Sequence, residues 1–194
     1  MKYPTHISKD MMATLPTLTY GDRRIEVIDS LDKMEDAVAY LHTQTVIGFD
    51  TETKPSFQKG VMHKVALLQL ASDEVCFLFR LHLTGLPDSL VSILSHPSIL
   101  KIGIAMKDDF SGLHKWNTAK PNGFIDIQRV ISKVGIEDLS LQKIYAILFD
   151  RRISKSQRLS NWETPELSDA QKQYAAIDAW ACLDIYREIK SEIE

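Results

Sequence analysis

The sequence predicts a mixed α/β fold in which helices flank a central sheet. Short apolar runs typical of strands follow one another in the first half of the chain, whereas helical and strand patterns alternate in the second half. The composition of the 194 residues, 44% hydrophobic and 25% charged, is that of a globular domain. No apolar run approaches the roughly 20 residues of a membrane-spanning helix, which argues against a membrane protein.

The strands are predicted from short runs of alternating or wholly apolar residues. In chain order they are residues 24–28, 46–52, 65–70, 75–79, 100–105 and 124–127. Only residues 71–74 separate the third run from the fourth, so these two strands are expected to form an antiparallel hairpin.

The helices are predicted from apolar residues at helical spacing and from capping residues. Ser30 can cap a helix that carries Leu31, Met34, Val38 and Leu41 on one apolar stripe and ends near residue 42. Ser168 and Gln171 form a capping box before the last helix, which ends near residue 193. The other predicted helices cover residues 88–94, 107–116, 126–133 and 140–149, and residues 150–166 are expected to be irregular.

A single domain is predicted for residues 23–194. Residues 1–22, with Pro4, Pro16 and Gly21, are expected to form a loose N-terminal lead-in. The first residues lack the apolar stretch of a signal peptide, so a cytoplasmic protein is expected. Cys76 and Cys182, each within an apolar segment, are expected to be buried, reduced thiols.

Acidic residues stand beside three of the predicted apolar elements. Asp50 and Glu52 end a strand and, two positions apart, project from the same face. Asp108 and Asp109 follow another strand, and Tyr174 and Asp178 share one face of the last helix. Each pair also has a purely structural explanation. Asp50 and Glu52 could end a strand in solvent, Asp108 and Asp109 could carry the charge of a first helical turn, and Tyr174 and Asp178 could lie on an exposed helix face.

Taken together, the acidic residues predict a metal site. Like charges repel one another unless a cation or a proton lies between them. Four converging carboxylates would suit two divalent cations, Mg²⁺ or Mn²⁺, and a pair of ions about 3.5–4 Å apart serves phosphoryl displacement.

Over residues 25–190 the sequence resembles the 3′–5′ exonucleases of the DEDD superfamily, and within it the tyrosine-type branch of ribonuclease D and the Werner-syndrome exonuclease domain. The resemblance rests on Phe49-Asp50-Thr51-Glu52-Thr53, on Lys101-Ile102-Gly103 with Asp109 and Leu113, and on Tyr174-x-x-x-Asp178. The six histidines lie elsewhere in the sequence, which disfavours the histidine-type branch.

The resemblance implies a ribonuclease-H-like fold and a set of roles. Asp50, Glu52 and Asp178 would bind the ion that activates water, Asp50 and Asp109 would bind the second ion, and Tyr174 would orient the water. The spacing from Gly103 to Leu113 favours Asp109 over Asp108 as the ligand. Thr51 and Thr53 are assigned to substrate binding.

A basic segment precedes the last helix. Arg151, Arg152, Lys155 and Arg158 are expected to bind substrate phosphates, or else to form a solvated loop. Trp162 could stack on a base or pack in the core. Three lysines near the first motif could add contacts: Lys54, Lys59 and Lys64.

The predicted function is a metal-dependent 3′–5′ exonuclease that releases nucleoside 5′-monophosphates. Its partner would be the 3′ end of single-stranded or frayed DNA or RNA. The net charge of −3 argues against extensive coating of nucleic acid but allows a local basic surface. A non-catalytic nucleic-acid-binding module on the same fold and an endonuclease remain the alternatives.

Overall fold

The computed structural model describes residues 2–57, 60 and 63–193. Six strands of this part of the chain form one sheet, in the spatial order β1-β4-β3-β2-β5-β6. β3 runs antiparallel to both of its neighbours, and the other pairings are parallel. The strands are β1 (Arg24–Ile28), β2 (Val46–Thr53), β3 (Val65–Ala71), β4 (Val75–Phe79), β5 (Leu100–Gly103) and β6 (Phe124–Asp126).

Helices cover both faces of the sheet. They are α1 (Lys9–Thr14), α2 (Leu31–Leu41), α3 (Leu81–Thr84), α4 (Asp88–Leu94), α5 (Lys107–Leu113), α6 (Ile127–Val130), α7 (Leu141–Phe149) and α8 (Asp169–Ile193), with a 3₁₀ turn at Ile131–Val134. Apolar side chains of α2, α4 and α5 pack on one face, and those of α7 and α8 pack on the other. The predicted mixed α/β fold and the β3–β4 hairpin are confirmed.

Two predicted elements end earlier than expected, and a sharp turn between them accounts for the end of the first. The fifth strand stops at Gly103 and the following helix at Leu113. Ala105 adopts a left-handed backbone conformation with φ of 55°, which neither a strand nor an α-helix permits. Its amide donates a hydrogen bond to Oδ1 of Asp126 at 3.1 Å, and this bond fixes the turn beside the end of β6.

The N-terminal residues do not form the loose lead-in that the sequence predicts. They include α1, and Leu18 is buried. The ring of Tyr20 packs 5.1 Å from that of Trp180 in α8, and its hydroxyl donates to Asp184 at 2.6 Å. The sequence signal failed because these apolar residues are scattered and bury themselves only against distant elements. The domain boundary at residue 23 stays a prediction.

Two further expectations concern the cysteines and membrane spans. Cys76 and Cys182 are buried and free, as predicted. Among the described residues, no helix combines the length and the apolar character that crossing a membrane requires.

Candidate active site

The strand β2 carries Asp50 and Glu52 to the face of the sheet that α8 covers. Ile47 and Phe49 belong to the core on the opposite face, so strand alternation directs Gly48, Asp50 and Glu52 toward α8. The register shifts between Glu52 and Thr53, so Glu52 lies at an irregularity just before the last pair of the strand. Both carboxylates therefore stand at the end of a buried strand.

The helix α8 reaches the acidic strand end because its crossing point on β2 is a glycine. A Cβ atom at Gly48 would lie 2.0 Å from the backbone oxygen of Ala179. The close contact places Asp178, the preceding residue, beside the carboxylates of β2. The predicted capping box starts this helix: the Ser168 amide donates to Gln171 Oε1 at 3.0 Å, and the Gln171 amide donates to Ser168 Oγ at 3.2 Å.

Three of the predicted metal ligands converge. One carboxylate oxygen from each of Asp50, Glu52 and Asp178 lies within 4.8 Å of the other two. Asp178 is 5% exposed, and its Oδ1 atom has no hydrogen-bond partner among the described residues. A buried carboxylate oxygen without a donor is costly, and a hard divalent cation would satisfy it. The three acids thus fit a site for a divalent cation.

The electrostatics of the three acids reflect burial and mutual repulsion. Desolvation, followed by repulsion from Asp178, Glu52 and Asp109, raises the pKa of Asp50 well above its usual value. Desolvation and the neighbouring acids raise the pKa of Glu52 to about 8. The pKa of Asp178 rises to about 7 because of desolvation, which Tyr174 and Lys155 partly counteract. Bound cations would replace the protons that these groups otherwise retain.

Asp109 is not one of the three acids whose oxygens lie within 4.8 Å of one another, but it interacts electrostatically with Asp50 and Glu52. Thr51 points toward α5, and its hydroxyl donates a hydrogen bond to Asp109. Burial raises the pKa of Asp109, whereas this bond lowers it. Asp109 is close enough to raise the pKa values of Asp50 and Glu52, while the Asp108 side chain is exposed.

Tyr174 lies one helical turn before Asp178 and faces the acids. Its side chain is 8% exposed, and its ring centroid is 6.0 Å from that of Trp162. Burial, followed by repulsion from Asp178, Glu52 and Asp50, raises the pKa of Tyr174 above its usual value near 10. The phenol therefore keeps its proton at neutral pH and acts as a hydrogen-bonding group.

Members of the basic segment have different surroundings. Lys155 lowers the pKa of Asp178 and Arg158 lowers that of Tyr174, so both positive charges lie close enough to act on the site. Arg151 is exposed. The Arg152 guanidinium instead donates to the Leu15 carbonyl at 3.0 Å.

Other predicted contact residues are engaged elsewhere. Trp162 is fully buried and belongs to the core, which settles the choice between stacking and packing. Lys54 pairs with Glu163 at 3.2 Å, and Lys64 lies over the Trp116 ring at 4.3 Å. Lys59 lies outside the described residues, and Thr53 is exposed at the end of β2.

Gln69 is a site residue that the sequence analysis missed. It pairs directly with Asp50 in the β2–β3 register and is fully buried. Neither polar atom of its amide has a partner among the described residues. Directly paired residues share a face with Cβ atoms about 5 Å apart, so the Gln69 and Asp50 side chains leave the sheet next to each other. The available signal was a single amide in the otherwise apolar strand β3.

Sequence comparisons associate the chain with nucleases. The family model described as "3′-5′ exonuclease" matches residues 25–194. The bifunctional 3′-5′ exonuclease/ATP-dependent helicase WRN of Mus musculus is 32% identical over 161 residues, which cover 80% of this chain and 12% of that protein. The chain spans less than two thirds of the length of its first three curated relatives.

Solved structures show the same architecture. The Nibbler EXO domain of Aedes aegypti superposes with a TM-score of 0.79 at 25% identity and 91% coverage of both chains. RNase D of Escherichia coli, whose description calls it an exoribonuclease involved in structured RNA processing, superposes with a TM-score of 0.80 at 22% identity. The superposition covers 88% of this chain and 45% of RNase D. These likenesses confirm the expected ribonuclease-H-like fold.

Proposed function

Because the chain belongs to the 3′–5′ exonuclease family, we propose that it is a metal-dependent enzyme that shortens nucleic acid from its 3′ end. It releases nucleoside 5′-monophosphates from single-stranded or frayed DNA or RNA. The observation that supports this most directly is the convergence of Asp50, Glu52 and Asp178 within 4.8 Å at the end of a buried strand. Such a site has little structural use without a cation.

Two divalent cations, Mg²⁺ or Mn²⁺, are the proposed cofactors. Asp50, Glu52 and Asp178 would hold one ion, and Asp50 and Asp109 would hold the other, which completes the tyrosine-type DEDD set. When bound, such ions activate water and neutralise the charge that develops at the scissile phosphate. Thr51 holds the Asp109 carboxylate in place through its hydroxyl.

The remaining side chains position water and substrate. The protonated Tyr174 hydroxyl orients the attacking water by a hydrogen bond rather than by removing its proton. Lys155 and Arg158 bind backbone phosphates near the acids, and Arg151, Thr51 and Thr53 are proposed as further substrate contacts. Backbone contacts do not read sequence, so little base specificity is expected.

The site of action is proposed to be the cytoplasm. Buried cysteines that remain free thiols support this assignment, since disulfides are rare in reducing compartments.

A 5′-labelled oligonucleotide tests the activity. With Mn²⁺ or Mg²⁺, the purified chain should produce a ladder that shortens from the 3′ end on RNA, DNA or both, and excess chelator should stop it. Asp178→Asn serves as the matched variant, because it keeps the shape of the side chain but removes the charge. No ladder on either polymer, together with metal-independent binding, would identify a non-catalytic binding module instead. Nicking of a circular substrate would identify an endonuclease.

A further inference from the structure

A groove of about 430 Å³ is lined in part by Tyr174, the side chain that also interacts with the acids. It lies between the N-terminal segment, the loop at 154–156 and the first turns of α8. Its size falls within the range of small-molecule binding pockets, which is roughly 300–1,000 Å³. The polar side chains that line it are Thr17, Thr19, Ser154, Ser156, Gln173 and Tyr174.

The N-terminal wall of the groove is firmly attached to the basic segment. Arg152 and Thr17 form a parallel β-bridge. The Arg152 amide donates to the Pro16 carbonyl at 3.0 Å, and the Leu18 amide donates to the Arg152 carbonyl at 2.8 Å. This wall lies outside residues 25–194, which the family model matches, so the N-terminal side of the groove is a feature that the family match does not describe.

The lining of the groove is neutral and has free hydrogen-bonding capacity. Four of the lining side chains are exposed and form no hydrogen bond with the other described residues, so they can bond a ligand: Thr17, Thr19, Ser156 and Gln173. Leu18 and Ile177 supply an apolar surface between them. Hydroxyls and an amide over an apolar floor suit the base and sugar of a nucleoside better than a phosphate.

Charge indicates which part of the strand occupies the groove. Lys155 lies between the two lining serines in sequence and interacts electrostatically with Asp178, and Arg158 interacts with Tyr174, although neither cation lines the groove itself. The departing nucleotide carries only the scissile phosphate, which must lie over the acids. Only the retained strand carries further phosphates for these cations to contact.

We propose that this groove binds a nucleoside of the retained strand, on the 5′ side of the scissile bond. The inference rests on the proposed exonuclease function and adds to it a binding subsite built by the N-terminal segment. Gln173, Thr17 and Thr19 hydrogen-bond the nucleoside, and the adjacent cations hold its phosphates.

A cycle of protein and substrate changes tests the groove. The variant Thr19→Val/Gln173→Leu removes a hydroxyl and an amide but keeps the volume of both side chains. Abasic residues are placed singly at the first three positions 5′ of the scissile bond of a 5′-labelled oligonucleotide. At the position whose nucleoside occupies the groove, the protein variant alone or the abasic residue alone should raise KM about tenfold. The variant acting on the abasic oligonucleotide should raise KM no further, because both changes remove the same contact.

The controls separate this subsite from catalysis. The p-nitrophenyl ester of thymidine 5′-monophosphate has no retained nucleoside, so wild type and variant should hydrolyse it within twofold of each other. Ser191→Leu, an exposed change far along α8, should leave KM for every oligonucleotide as in wild type. Thr19→Val alone gives a milder variant if the melting temperature of the double variant falls.

Three other outcomes would each contradict a different part of the proposal. Additive effects at all three positions, or an unchanged KM in a folded variant, would overturn the groove assignment while leaving the exonuclease assignment intact. An equal loss on the ester would overturn the placement of the retained strand. Failure of the wild-type chain on both substrates would overturn the exonuclease function itself.

Discussion

At the scale of single residues, the crowded carboxylates lower the stability of the folded chain when they are charged and no cation is bound. The pKa values of Glu52 and Asp178 rise to about 8 and about 7, mainly because burial disfavours their charged forms. The usual values are near 4, so the folded chain binds protons more tightly than the unfolded chain does. Proton binding by these two acids therefore stabilises the folded chain fully below about pH 4, and this stabilisation is lost as the pH rises to about 8.

The chelated protein should therefore melt at a lower temperature at pH 8 than at pH 5. Mn²⁺ should raise the melting temperature more at pH 8, where the acids are charged and bind it. Calorimetry at both pH values, with chelator and with Mn²⁺, measures this. Asp50→Asn removes one repelling charge and should flatten the dependence on pH. A chelated wild type that melts at the same temperature at both pH values would contradict the expected proton uptake.

Removal of the Tyr174 hydroxyl tests whether this group positions the attacking water. Tyr174→Phe keeps the ring that packs near Trp162 but removes the hydrogen bond. We expect kcat to fall by about 10²-fold and KM to change little, because the bond matters at the transition state. Titration with Mn²⁺ should give the wild-type affinity, since the acids are intact. Wild-type kcat in this variant would remove Tyr174 from the mechanism.

At the scale of elements, the site depends on how closely α8 approaches β2. Gly48→Ala would bring a Cβ atom against the backbone of Ala179, which cannot rotate away. We expect the free energy of unfolding to fall by about 3 kcal/mol and activity to be lost, because the helix must move Asp178 away from Asp50. Thermal denaturation and the ladder assay measure the two effects.

A second glycine, Gly103, supplies the control for the close contact between α8 and β2. A Cβ atom at Gly103 would meet the Sδ atom of Met106 at 2.6 Å, and this thioether is the flexible part of its side chain. Gly103→Ala should therefore cost less stability than Gly48→Ala. An equal or larger cost at Gly103 would show that the helix crossing is not the tight point.

The local parts of the site could be predicted from sequence, and the tertiary parts could not. Strand alternation at Asp50 and Glu52 and helical spacing between Tyr174 and Asp178 follow from backbone geometry alone. The side-chain bond from Thr51 to Asp109 depends on how α5 packs against β2, which no local pattern encodes.

Arg152 illustrates the same limit in the basic segment. Its charge predicted a substrate contact, but its guanidinium and backbone hold the N-terminal segment in place. That use depends on residues 15–18, which lie far from Arg152 in the sequence and carried no strand signal of their own. Substrate binding by Arg152 remains a prediction, with its side chain already engaged in the fold.

At the scale of the whole molecule, the balance of charge sets how nucleic acid is bound. The chain carries 23 basic and 26 acidic residues, so its net charge is −3 and the whole molecule attracts a polyanion only weakly. In the proposed function, the exposed cations beside the site would supply the attraction locally, together with any bound metal. Binding should depend on a few phosphate contacts rather than on a broad basic face.

The dependence of KM on salt counts those contacts. For single strands the slope of log affinity against log salt is about −0.7 for each phosphate neutralised, so Arg151, Lys155 and Arg158 together predict a slope of about −2. Lys155→Ala should reduce its magnitude by about 0.7, whereas Lys33→Ala, on α2 and paired with Asp29, should leave it unchanged. Steady-state kinetics at fixed Mn²⁺ and increasing KCl measure the slope. A slope near zero, or one unchanged in the Lys155 variant, would mean that the strand is held by the metal site and the groove without the basic segment.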